Sequence, residues 1–306
     1  MICFPNAKIN LGLHVVEKRE DGYHNIETVF YPVPLKDALE IVPFSPSFPN
    51  EGEMVWSFQT PPVFSTLQTQ YHDPLVRKRG GGESDFSFTQ VGLSLDSLPE
   101  DNLVIKAFNL FKKRYDLPPL AVFLKKAIPF GAGLGGGSAD AAFMLKLLNA
   151  CTSQNLSDEE LEKMSVEIGA DCPFFIRNRP VVASGIGNMF ESIELSLKGY
   201  TLCIIKPNLV VSTKDAYSSV KPAKPSTPLK EIVRLPVKEW KHLLKNDFEP
   251  GVFQKFPVIS EIKDYVYACG SVYASMSGSG SAVFGLFEND VNLSFPECFI
   301  WKGVLK

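Results

Sequence analysis

Between Pro129 and Ala142 the chain reads Pro-Phe-Gly-Ala-Gly-Leu-Gly-Gly-Gly-Ser-Ala-Asp-Ala-Ala, a glycine-rich turn set directly against the start of an apolar helix. Glycines admit positive φ and let several backbone N–H groups approach one anion, while a helix start adds unpaired donors and the positive end of its dipole. A tight turn packed on a strand accounts for one or two glycines, but not for Gly131, Gly133, Gly135, Gly136 and Gly137 together. The run reads as a phosphate cradle, with Ser138 placed to cap the helix or to reach a phosphate-bound metal.

Three familiar phosphate loops do not fit. Gly131, Gly133 and Gly136 match G-x-G-x-x-G, but a dinucleotide-binding unit continues into a strand that ends in an acidic residue. Here a second helix follows: Ser157 with Glu160 forms a capping box, Leu161, Met164 and Ile168 share a face, and Gly169 stops the helix. The P-loop lysine is absent, since Gly137 occupies its place. No H-R-D or D-F-G run accompanies the loop, which sets the protein kinases aside.

The chain's 306 residues suffice for one large or two ordinary domains, and a formal net charge of -3 gives no global basic field for nucleic acid. Arg77-Lys78-Arg79 is short and reads as a solvated loop. No apolar run reaches membrane-spanning length, so neither nucleic acid nor a membrane is an expected partner. Six cysteines lie scattered without C-x-x-C spacing or a leader before them. Reduced thiols in a cytoplasmic protein are the expectation, rather than disulfides or zinc.

Two further constellations carry chemistry. From Lys8 to Val15 the chain alternates, so that Lys8 and Asn10 point the same way, opposite Ile9 and Leu11. Glu20-Asp21-Gly22 is a turn signal, followed by Tyr23, His24 and a second strand over residues 26–33. An aromatic ring and an imidazole beside a turn suit a planar base. In Gly169-Ala-Asp-Cys-Pro173, Asp171 stands just past a helix C-terminus, where the dipole disfavours a carboxylate. It is either an Asx-type turn residue or a functional group. Near the other end, Ser275-Met-Ser-Gly-Ser-Gly-Ser sets a glycine-serine turn before a strand that runs to Phe287, after a helical pattern over 258–269.

Taken together, Pro5-Asn-Ala-Lys-Ile-Asn-Leu11, Asp21-Gly-Tyr-His24, the cradle, Gly169-Ala-Asp-Cys-Pro173 and the turn from Ser277 to Phe284 resemble the GHMP small-molecule kinases. The Ala-Lys-Ile-Asn strand with Asp-Gly-Tyr-His narrows the resemblance to the branch whose substrate carries a cytidine diphosphate. It implies ATP-dependent phosphorylation of the 2-hydroxyl of 4-diphosphocytidyl-2-C-methyl-D-erythritol, a step of the non-mevalonate isoprenoid route, giving the 2-phosphate and ADP.

By that resemblance Asp171 takes the hydroxyl proton and Lys8 bridges it to the reacting oxygens. Asn10 holds the methylerythritol hydroxyls, Tyr23 stacks on cytosine and His24 bonds its edge, with Val182 at the other face of the slot. ATP falls to Asn102, Pro129, Gly131, Gly133, Leu134, Gly135, Gly136, Gly137, Ser138 and Ala139, and Mg²⁺ to the Ser138 hydroxyl. The implied architecture is a two-lobed α+β fold. An N-terminal cradle lobe spans 1–155 and a C-terminal ferredoxin-like lobe spans 156–306, with residues 214–230 a long connecting loop.

Two departures stand out. The family often places an aromatic residue where Val182 lies, and residues 45–85, rich in Pro, Gly, Ser and Gln, read as an insertion that is mostly loop. A sister kinase acting on homoserine or mevalonate, a catalytically silent nucleotide binder and a structural interaction protein remain as alternatives.

Overall fold

A computed structural model describes residues 1–43, 86–93 and 99–306, so the expected insertion at 45–85 lies outside the described residues. The first half contains β1 (Ile2–Cys3), β2 (Asn6–Lys18), β3 (His24–Lys36), β4 (Ala38–Pro43), β5 (Phe86–Gly92), α1 (Leu103–Lys112), β6 (Leu120–Lys126) and α2 (Gly136–Thr152). Next come α3 (Asp158–Val166), α4 (Cys172–Arg177), β7 (Val181–Ser184) and β8 (Met189–Ser192). After them lie β9 (Thr201–Pro207), α5 (Thr213–Ser218), α6 (Pro257–Ala268), β10 (Tyr273–Met276), β11 (Val283–Phe287) and β12 (Cys298–Val304).

Among the described residues the strands form three four-stranded sheets, ordered β1-β4-β6-β5, β2-β3-β7-β8 and β10-β11-β9-β12. The middle sheet positions the chemistry. β2 and β3 are antiparallel partners, with Ile9 opposite Tyr31 and Asn10 opposite Phe30. At Gly12 the register slips by one residue, the glycine taking a φ of +70°. Such a bulge re-aims the strand: Ala7, Ile9 and Leu11 pack in one core, Leu13 and Val15 in another.

Lys8 and Asn10, on the face of β2 opposite Ile9 and Leu11, are only 3% and 2% exposed. The sheet is covered on both sides. Phe30, Val181 and Ala183 join a core with α1, α2, α3 and α4, whereas Val29, Val33 and Val182 join a core with β9 and β11.

This layering also bears on the lobes. β7 pairs with β3, and Leu161, Met164, Phe174 and Phe175 share a core with Leu145 and Leu148 of α2. The chain thus stays with the first half of the fold as far as Ser192, so the expected division at 155 follows neither strand pairing nor core. The last sheet is antiparallel throughout. α6 buries Ile259, Ile262 and Val266 against it, in the ferredoxin-like manner anticipated.

Local signals explain most element ends. Ser157 and Glu160 close a capping box on α3, and Asn102 caps α1 by accepting the Val104 N–H at 2.9 Å. The expected 214–230 loop is partly helical, because Ser212 accepts the Asp215 N–H at 3.0 Å and starts α5. No helix among the described residues is long and apolar enough to cross a membrane.

Candidate active site

The cradle runs from a buried Pro129 into α2. Gly135, at φ +70°, is the N-cap, no side chain caps the first turn, and Ser138 lies inside that turn rather than capping it. The leading N–H groups of α2 are therefore left for an anion. Gly131 and Gly133 share the left-handed backbone, at φ +61° and +71°. A Cβ on Gly133 would stand 1.9 Å from the Ser277 carbonyl oxygen, and one on Gly135 2.8 Å from the Phe175 ring. Gly137 is different: a Cβ there would meet only Leu103, at 3.6 Å. It is exposed and faces open space.

Backbone and hydroxyl bonds fix the loop from both halves of the chain. The N–H groups of Ser281 and Ala282 donate to the carbonyls of Gly131 and Ala132, each at 3.2 Å. Ser277 Oγ donates to the Gly133 carbonyl at 2.8 Å, and the Lys8 N–H donates to that of Leu134 at 2.9 Å. Leu134 and Ala139 are buried beneath. At the loop's entrance Asp37 Oδ1 accepts the N–H groups of Ala127 and Ile128, at 2.6 and 2.8 Å. Lys126 binds both Asp37 and Asp140, tying that entrance to the first turns of α2. Burial pushes the Asp140 carboxyl upward, Lys126 opposing and Asp37 reinforcing the shift.

Lys8 and Asp171 lie beside this loop. Lys8 Nζ stands 3.7 Å from Asp171 Oδ2, donates to Asn10 Oδ1 and sits 4.8 Å from the centroid of the Phe30 ring. Its side chain is 4% exposed, whereas that of Asp171 is 35% exposed. Burial pulls the Lys8 ammonium below the usual lysine range, and the Asp171 charge pulls the other way. Asn10 Nδ2 donates to Thr28 Oγ1 at 2.9 Å, which donates to the Gly12 carbonyl at 2.6 Å.

Asp171 itself proves to be the N-cap of α4, with Pro173 in the first turn and no side-chain capping bond. The expectation of a carboxylate stranded past a helix C-terminus is corrected: α3 ends at Val166, and Asp171 faces the positive end of the next helix. The Ser138 side chain lies beside the Cys172 thiol, which burial pushes up to about 12. Ser138 thus faces α4 one residue on from Asp171.

Tyr23 and His24, the residues expected to read the base, occupy the hairpin end. Arg19 N–H donates to the Tyr23 carbonyl at 2.8 Å and Asp21 Oδ1 accepts the Tyr23 N–H at 3.0 Å, so the backbone is held while the Tyr23 ring is 63% exposed. His24 stacks on Tyr217, with centroids 4.7 Å apart and planes at 23°. Val182 is not in this corner. It is 8% exposed, and alternation along β7 sends its side chain into the core with Val29 and Val33. Asn102 stands next to Leu103, the neighbour of Gly137, but its side chain is engaged with Val104 and with Gln90, at 3.1 Å.

Sequence reasoning passed over Thr28 and Tyr217, and took Ser277 only as part of the glycine-serine turn. Ser212 followed by Asp215 is a helix-start signature that would have placed Tyr217 on a helix; nothing local marks its partner.

Residues 102–179 match the GHMP kinases N terminal domain and residues 229–294 the GHMP kinases C terminal model. A 4-diphosphocytidyl-2-C-methyl-D-erythritol kinase of Parabacteroides distasonis is 53% identical, with 100% of both chains covered. That of Bacteroides fragilis is 49% identical over the same coverage. A crystal structure of 4-(cytidine 5'-diphospho)-2C-methyl-D-erythritol kinase superposes with a TM-score of 0.71 at 29% identity, covering 94% of this chain and 90% of that one. The mevalonate kinase of Methanococcus jannaschii, at a TM-score of 0.62 and 12% identity over 100% and 98% of the chains, shares the fold. Cradle geometry, domain models and full-length similarity agree: the chain belongs to the GHMP kinase family, among the 4-diphosphocytidyl-2-C-methyl-D-erythritol kinases.

Proposed function

We propose that the chain transfers the γ-phosphoryl group of ATP to the 2-hydroxyl of 4-diphosphocytidyl-2-C-methyl-D-erythritol, with Asp171 accepting the hydroxyl proton. Phosphoryl transfer needs positioning and charge stabilisation more than covalent help. The N–H groups at the start of α2 receive the phosphates, and the Lys8 ammonium faces both the carboxylate and the transferring oxygens. Asn10, oriented by Thr28, holds the methylerythritol hydroxyls, while Tyr23 stacks on cytosine and His24 bonds its edge.

The observation that carries this reading is the Lys8–Asp171 pair at 3.7 Å, with Lys8 fixed through its own N–H to the cradle carbonyl of Leu134. One residue of β2 thereby links the proton acceptor to the phosphate site. The donor set suits a magnesium-bound nucleotide. No cluster of three metal-binding side chains occurs among the described residues, and Mg²⁺ takes most of its oxygens from phosphates and water. The Ser138 hydroxyl, in the first turn of α2, would hold it. Bound there, the ion supplies charge neutralisation on the phosphate oxygens.

A coupled ADP-release assay tests the reading with the cytidyl substrate, homoserine and mevalonate as acceptors. Turnover with the cytidyl substrate alone is expected. Comparable turnover with either other alcohol, or none with any of them, rejects it.

A further inference from the structure

The His24 ring is not a free side chain at a hairpin end. One face is covered by Tyr217 of α5 in an offset stack. Tyr217 is in turn braced edge-on by Phe248, with centroids 4.8 Å apart and planes at 78°. Phe248 is 2% exposed, and its backbone belongs to a segment fixed on two sides. Asn246 Oδ1 accepts the Phe248 N–H at 3.0 Å, and Asn246 Nδ2 donates to the carbonyls of Met276 and Gly278, each at 2.8 Å. Asp247 accepts the Val15 N–H at 2.9 Å and stands 3.2 Å from His14. The row His24, Tyr217, Phe248 therefore starts on the hairpin and ends on a support bonded both to β2 and to the glycine-serine turn.

Stacking fixes the plane of an imidazole but leaves its ring nitrogens at the edge. Covering one face is thus the way to hold a histidine that must meet the edge of another planar ring. Burial raises the Tyr217 hydroxyl pKa, and the Asp171 charge adds to the shift.

We propose that Tyr217 is a positioning residue for base recognition: it clamps the His24 ring plane, so that the C-terminal half of the chain takes part in choosing cytosine. The inference rests on the reading that His24 meets the base edge. It places one specificity determinant on α5, far in sequence from the hairpin that touches the ligand.

The test uses Tyr217→Leu, Tyr217→Phe, His24→Ala and the double variant His24→Ala/Tyr217→Leu in the full chain. KM and kcat are measured with the cytidyl substrate and with its uridyl analogue, together with the KM for ATP. Loss of an aromatic stack corresponds to about a 3- to 10-fold rise in the cytidyl KM for Tyr217→Leu. The kcat and the KM for ATP should stay within about two-fold, and the preference for cytidyl over uridyl should contract. Tyr217→Phe, which keeps the stack, should rescue both KM and preference. In the His24→Ala background, Tyr217→Leu should add little, because the two residues act as one unit.

An unchanged cytidyl KM in Tyr217→Leu overturns the proposal. So does an undiminished penalty in the His24→Ala background, or a parallel rise in the KM for ATP, which marks general loosening. If His24→Ala itself leaves the cytidyl KM unchanged, the base-edge reading falls and this proposal with it. If His24→Ala raises KM and Tyr217→Leu does not, the clamp alone is wrong.

Discussion

The two ends of the site are built from different materials. At the phosphate end the contacts come from backbone: three left-handed glycines and a helix start without a side-chain cap, fixed by carbonyl bonds to Lys8, Ser277, Ser281 and Ala282. At the proposed base end the groups on offer are side chains, with Tyr23 63% exposed on a hairpin and His24 held by a ring from α5. A phosphate is the same in every nucleotide, so its site can be rigid and made of groups common to all residues. A base must be told apart from other bases, and that takes particular side chains. Lys8 and Asp171 stand where the two meet.

That junction should give the largest effect. Asp171→Asn preserves shape and removes proton acceptance, so kcat should fall by roughly 10²–10⁴ while cytidyl binding is kept. Activity within a few-fold of the parent would mean that positioning by Lys8 and magnesium suffices. Lys8→Met should also lower kcat more than affinity.

The pH profile gives a sign for Lys8. Burial disfavours its charged form, so the ammonium is lost at a lower pH than for a free lysine. Activity that needs the ammonium falls as pH rises through that depressed value, which puts an alkaline limb in kcat below the usual lysine range. Lys8→Arg, whose guanidinium stays charged, should remove the limb whatever it does to the plateau. A limb that survives in Lys8→Arg belongs to another group.

The next two variants probe the contrast from either end. Base–aromatic stacking is worth about 1–3 kcal/mol, so Tyr23→Ala should raise the cytidyl Kd by about 5- to 150-fold and leave that of ATP alone. Gly133→Ala should do the reverse. A Cβ in the left-handed region costs roughly 1–2 kcal/mol before the approach to Ser277 is counted, so the ATP Kd should rise by about 5- to 30-fold. Titration calorimetry with the cytidyl substrate and an ATP analogue reads both. Equal losses for the two ligands in either variant would erase the distinction between a backbone end and a side-chain end.

The contrast also explains what could be read beforehand. The cradle was legible because its requirement is local: Gly131, Gly133 and Gly135 lie close together in the chain, and each takes a left-handed backbone that favours glycine. Lys8 and Asn10 were legible as a pair from strand alternation, and the structure joins them by a hydrogen bond. Their burial was not, since it depends on helices and sheets that cover the strand from elsewhere. Asp171 was singled out with the wrong local geometry, because Gly169 was read as an end and Pro173 was not read as a beginning. Tyr217 was missed for a plainer reason. A stack between β3 and α5 leaves no periodicity in either segment, and only the tertiary fold brings the rings together.

Val182 is the smallest test, and it separates a family pattern from this chain's own packing. The family pattern put position 182 at a face of the cytosine slot, so that Val182→Phe would complete a sandwich with Tyr23. In the fold, Val182 lies opposite Val29 on the middle sheet, with its side chain in the core shared by Val33, Leu202 and Phe284. A larger ring there has no slot to fill. Overpacking a well-filled core typically costs 1–3 kcal/mol, so Val182→Phe should lower thermal stability by a few degrees and leave the cytidyl Kd within about two-fold. Tighter cytidyl binding with unchanged stability would show that the side chain reaches the ligand after all. The base end would then be a sandwich closed from the strand, and the tyrosine on α5 would be a bystander to it.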